Sequence, residues 1–77
     1  TYEVEQYVQA WLAELSEKHR WVIERRFGLN SQEIATLEDL ATQLGVTRER
    51  IRQIQVEALH MLRRILKRRG MSKDGLL

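Results

Sequence analysis

The stretch TLEDLATQLGVTRERIRQIQ, residues 36–55, decides how this chain folds. Two short helical patterns meet in it across a single glycine. Counted from Leu37, the side chains of Leu40 and Leu44 fall on the inward face of the first pattern. Ala41 is small at the point where a second helix would cross, and nothing larger fits there. Gly45 supplies the turn, and Val46, Ile51 and Ile54 complete the packing. Two helices crossing steeply through a turn of three or four residues that contains glycine make a helix-turn-helix. The spacing places it at approximately residues 37–56.

The helix ends are marked locally, and the marks extend outward from this stretch. Thr36-x-x-Asp39 is a near capping box, with the shorter aspartate where glutamate is usual. Thr47 N-caps the following helix, which runs to about residue 69 and stops at Gly70. Upstream, Val4, Val8, Trp11, Leu12 and Leu15 recur at helical spacing from about residue 3 to 15. Ser16 is the N-cap of a helix over residues 17–27, ended by Gly28, with Val22, Ile23 and Phe27 facing inward. The segment LNSQEIA is a loop, and the final MSKDGLL forms at most a loose turn. The expected fold is all-α, about four helices with a C-terminal helix-turn-helix and no sheet.

Composition narrows the classes open to such a fold. Seventy-seven residues make one small domain, 1–77, near the lower limit for a single core. There is no cysteine, so neither a disulfide nor a thiolate metal site braces it. Proline is absent too, and stability must come from helix packing. No apolar run approaches the roughly 20 residues a bilayer span needs, and no signal-peptide pattern opens the chain. A cytoplasmic setting is the expectation, and a start at Thr1 without methionine reads as a piece of a longer protein. The net charge of +2 hides an asymmetry. Residues 1–47 hold 4 Lys/Arg against 8 Asp/Glu, whereas residues 48–69 hold 8 Lys/Arg against 2 Glu. A basic C-terminal segment on an acidic domain is the footprint of a polyanion-binding element.

The start of the last helix carries that chemistry. Arg48, Arg50 and Arg52 crowd a helix N-terminus that already bears partial positive charge, so an anion outside the chain explains them better than local stability does. With Ile51, Ile54, Ala58, Leu59, Leu62 and Ile65 turned to the core, Arg48, Glu49, Arg52 and Gln53 lie opposite. In a helix-turn-helix this part of the second helix meets base edges in the major groove. Arginine pairs with guanine, glutamine with adenine, and glutamate accepts from the cytosine amino group. A purely electrostatic patch has no use for Glu49. The competing structural reading is a set of exposed pairs within one helix, worth a few tenths of a kcal/mol.

At these residues the chain resembles a known family. RRFGL, TLEDLATQLGVTRERIRQIQVEAL and the basic continuation resemble region 4, the C-terminal promoter-recognition domain of the sigma-70 family of bacterial RNA polymerase initiation factors. IQVEAL and the RRGMSKDGLL ending look most like its general-stress, stationary-phase branch. The resemblance implies recognition of the promoter −35 element, with Arg48, Glu49 and Gln53 on bases and Arg52 on bases and nearby phosphate. It further implies that Lys18, Arg26, Thr36, Leu37 and Thr47 hold the DNA backbone, the last three partly through helix N-terminal amides. It also implies docking on the flap of the polymerase β subunit through the first two helices, here the region from Trp11 to Phe27. Transcription activators or an anti-sigma factor are further candidate partners. Housekeeping members carry basic residues where this chain has Glu57 and His60, so the usual activator contact does not carry over there; Arg63 and Arg64 remain basic.

Nothing in the sequence assembles a catalytic site, and no cofactor or metal is expected. His19 and His60 lack a second ligand at metal spacing and are expected on the surface. Ser16 and Ser31 lack a base, and Asp39 serves as a cap. Trp11 and Trp21 read as core or partner-groove residues rather than base-stacking platforms. Two other readings compete: a response-regulator effector domain, which would not predict RRFGL or VTRERIRQI, and a pure protein-docking module, which would not need the polar face at residues 48–53.

Overall fold

A computed structural model of the chain describes residues 2–69, with side chains from residue 6 onward. The chain forms four helices: α1 (Tyr2–Ala13), α2 (Glu17–Phe27), α3 (Leu37–Leu44) and α4 (Arg48–Arg68). No strand occurs among the described residues. Each boundary has a local cause. Ser16 Oγ takes the His19 amide at 3.3 Å at the head of α2. At α3, Thr36 Oγ1 takes the Asp39 amide at 3.0 Å while Asp39 Oδ2 takes the Thr36 amide at 3.2 Å, so the capping box is complete even with aspartate. Thr47 Oγ1 takes the Arg50 amide at 3.0 Å at α4. The expected stop at Gly70, the MSKDGLL segment and the side chain of Val4 lie outside the described residues.

The turn between α3 and α4 is a Schellman motif. Gly45 sits at φ 70, its amide bonds Thr42 O at 3.3 Å, and the Val46 amide bonds Ala41 O at 3.0 Å. That double closure fixes the direction in which the chain leaves α3, and so the angle at which α4 begins.

The core has two parts strung along α4. Val22, Leu40, Ala41, Ile51 and Ile54 pack α2 and α3 against its first half. Leu12, Leu15, Ile23, Ala58 and Ile65 pack α1 and α2 against its second half. Ala41 is 5% exposed at the crossing of α3 and α4, as its size requires.

Four inward assignments do not hold. Phe27 is 46% exposed, because α2 ends there and its buried stripe is His19, Val22 and Ile23. Leu44 and Val46 are exposed, since α3 has only eight residues and the turn carries both past the core. Leu59 is exposed beside fully buried Ala58: one residue is about 100° of helix rotation, enough to leave the seam. Leu66 takes the buried place lower down α4. Conversely His19, expected on the surface, is only 6% exposed.

Candidate nucleic-acid interface

Arg48, Glu49, Arg52 and Gln53 occupy the first two turns of α4, and all four are exposed. They are not equivalent. Glu49 and Arg52 grip each other: Nε of Arg52 donates to Oε1 at 2.8 Å and its terminal nitrogen to Oε2 at 2.6 Å. This fork-to-fork geometry holds the Glu49 carboxyl below its ordinary value, first through the Arg52 hydrogen bonds, then through the charges of Arg52 and Arg48. The same pair raises Arg52. Arg48 makes no hydrogen bond within the described residues, and Gln53 Oε1 takes only a long contact from Arg50 at 3.5 Å. The face therefore presents an arginine without a hydrogen bond, an amide held only by one long contact and a clasped acid–base pair, with donors and acceptors both on offer.

Leu37 joins this group. It lines, with Arg48, Glu49 and Arg52, a shallow hollow of about 310 Å³ between the start of α3 and the start of α4. Two helix N-termini thus open onto one surface. Asp39 consumes the Thr36 amide, and the cap hydroxyls of Thr36 and Thr47 consume the amides of Asp39 and Arg50. The remaining first amides of each helix have no intrahelical acceptor, and amides so placed suit an anion.

Lys18 and Arg26, the two α2 cations expected on the DNA backbone, do not line that hollow. Lys18 lines a separate groove of about 510 Å³ with Trp21, Leu44, Val46, Arg50 and Ile54. Arg26, in the last turn of α2, is half-buried, with its guanidinium 5.8 Å from the Phe27 ring centre and Nε buried without a hydrogen bond. Its neighbour Arg25 instead stacks over Trp21 at 4.5 Å. Farther down α4 the basic run divides. Glu14 clasps Arg68 and Arg69, while Arg63, Arg64 and Lys67 stay exposed without an ion pair among the described residues.

The reading from sequence counted Arg50 among the crowded arginines but gave it no partner, and it missed the group around His19. Arg50 lies beside Lys18 in the groove, with its guanidinium 3.9 Å from Glu57. His19 Nε2 meets Glu57 Oε1 at 2.9 Å, across from Ser16 on its other nitrogen. The serine–histidine spacing of three was visible in the chain; the partner on α4, 38 residues away, was not. Among the described residues no group of three or more His, Asp or Glu could hold a metal ion, and no helix is long and apolar enough to cross a membrane.

The fold and this face define the class: a four-helix domain built around a helix-turn-helix. A family model described as "Sigma-70, region 4" matches residues 11–64, and the chain belongs to that family. It is 46% identical over 72 residues to RNA polymerase sigma factor RpoS of Coxiella burnetii, covering 94% of this chain and 20% of that protein. It is 45% identical over 56 residues to sigma factor SigA4 of Synechococcus elongatus, covering 73% and 18%. It is 49% identical over 49 residues to sigma factor SigA of a Bacillus species, covering 64% and 13%. The chain thus spans a fifth or less of the length of these curated relatives.

Proposed function

We propose that this domain reads the −35 element of bacterial promoters within an RNA polymerase sigma factor of the general-stress type, and docks on the polymerase β flap. The observation that carries the reading is the exposed face Arg48, Glu49, Arg52 and Gln53, aimed outward by a turn closed at Gly45 and flanked by two open helix N-termini. Arg48 and Gln53 meet base edges directly. Arg52 arrives clasped by Glu49, which orients its remaining donors and leaves Glu49 lone pairs for a cytosine amino group. Leu37, Thr36 and Thr47 approach the phosphates through amides and hydroxyls, and Lys18 and Arg26 through charge. The flap docks on the α1–α2 side, where exposed Tyr7 stacks on Trp11 at 6.0 Å and Phe27 stands out from the surface.

The test separates reading from adhesion. Glu49→Ala and Arg26→Ala are titrated against every single-base change in a −35 duplex at two salt concentrations, in holoenzyme. Glu49→Ala should relax preference at one base pair by about tenfold while non-specific binding holds or tightens. Arg26→Ala should weaken all sequences alike and reduce the salt slope by about one unit. Uniform loss from both, with base preference intact, refutes direct reading by residue 49.

A further inference from the structure

His19 and Glu57 depart together from what their positions suggested. His19 is 6% exposed, and Glu57 turns back from α4 to meet it at 2.9 Å. A carboxylate only accepts, so Nε2 of the ring carries the proton. In the neutral ring Nδ1 then accepts from the Ser16 hydroxyl, whose oxygen also takes the His19 amide at 3.3 Å. Both nitrogens of a buried ring are satisfied. Arg50 on α4 approaches the other carboxylate oxygen of Glu57 at 3.9 Å, and Lys18 on α2 adds its charge.

The bridge stands at the seam of the two core clusters. On α4, Glu57 lies between Ile54 of one cluster and Ala58 of the other. On α2 the same division falls between Val22 and Ile23, one turn beyond His19. Apolar contacts are non-directional and allow a helix small rotations about its axis. A hydrogen bond tied at both ends is directional and resists them. Arg48, Glu49, Arg52 and Gln53 ride on the same rigid helix as Glu57, so any rotation there reaches them whole.

The geometry points to His19 as a positioning residue for base reading, acting through Glu57 to set the rotation of α4 on α2; this rests on the −35 reading above. His19 touches no base. It decides where the reading side chains aim, whereas the phosphate contacts of Lys18 and Arg26, long side chains carried on α2, depend on that aim far less.

The test is competition between a −35 duplex and a scrambled duplex, in holoenzyme carrying the variant domain, with folding checked by circular dichroism at the assay temperature. His19→Leu keeps the site filled and apolar, and should lower the ratio of cognate to scrambled affinity by about tenfold, the value of one lost base contact. Glu57→Ala, at a half-exposed position that tolerates truncation, should lower it likewise. Glu57→Gln should restore it, because an amide oxygen still accepts from Nε2–H. Melting alone reports a structural role; the ratio and its rescue do not follow from one. Folded His19→Leu and Glu57→Ala with a wild-type ratio overturn the proposal, and so does Glu57→Gln as low as Glu57→Ala. A wild-type domain with no preference between duplexes defeats the base-reading proposal itself, and this one with it.

Discussion

Replacing Gly45 by alanine isolates the backbone cost of the turn that aims α4. Gly45 stands at φ 70, and a Cβ built there meets no atom within 4 Å beyond the residues that flank it. Contacts with the rest of the fold therefore contribute nothing, and the cost is the clash of Cβ with its own backbone in the left-handed region, about 1–2 kcal/mol. For a domain of this size each kcal/mol lowers the melting temperature by about 4–8 °C. Gly45→Ala should accordingly melt about 4–16 °C below wild type in far-UV circular dichroism. Asparagine visits the left-handed region more readily, so Gly45→Asn should recover part of the loss. Gly28 gives the contrast. It shares the conformation at φ 68, but an added Cβ meets Ile34 Cγ1 at 2.7 Å. Ile34 is 73% exposed and can turn outward, so Gly28→Ala should exceed Gly45→Ala by only about 0.5–1.5 kcal/mol, the cost of an off-rotamer side chain. An unchanged melt for Gly45→Ala, or Gly45→Asn melting below Gly45→Ala, would refute the argument.

Three further outcomes are expected. Ala41→Phe overpacks the crossing of α3 and α4, where the side chain is 5% exposed, and should cost about 1–3 kcal/mol in urea unfolding. Glu57 and Glu14 are held below the ordinary carboxyl value of 4.5, first by the hydrogen bonds of His19 and Arg69 respectively. A depressed carboxyl stabilises the fold above its unfolded value and loses that contribution as pH falls through the folded one. Stability should therefore fall below about pH 4.5, and the double variant Glu57→Gln, Glu14→Gln should show a shallower acid limb by chemical denaturation at stepped pH. Finally, an apolar peptide from the polymerase β flap should shift amide resonances within residues 7–29, and shifts confined to residues 48–56 would contradict docking on the α1–α2 side.

Local chemistry wrote the helix boundaries into the chain. Ser16, Thr36 and Thr47 cap through bonds spanning three residues, and Gly28 and Gly45 close helices through bonds spanning three to five. Interactions of that reach depend on neighbouring residue types alone, so α2, α3 and the head of α4 were legible, and with them the turn and the exposed polar face. The rotation of each helix about its axis was not. Periodicity narrows the buried stripe to about a third of the circumference, and whether Leu59 or Leu66, Phe27 or His19 lies in it depends on the helices packed alongside. The same holds for the long-range pairs. His19 meets Glu57 across 38 residues, and Glu14 meets Arg68 across 54. No spacing rule links residues so far apart. Only the docking of α1 and α2 along α4 brings them together, which is why a histidine that read as a surface residue became the polar joint of the core.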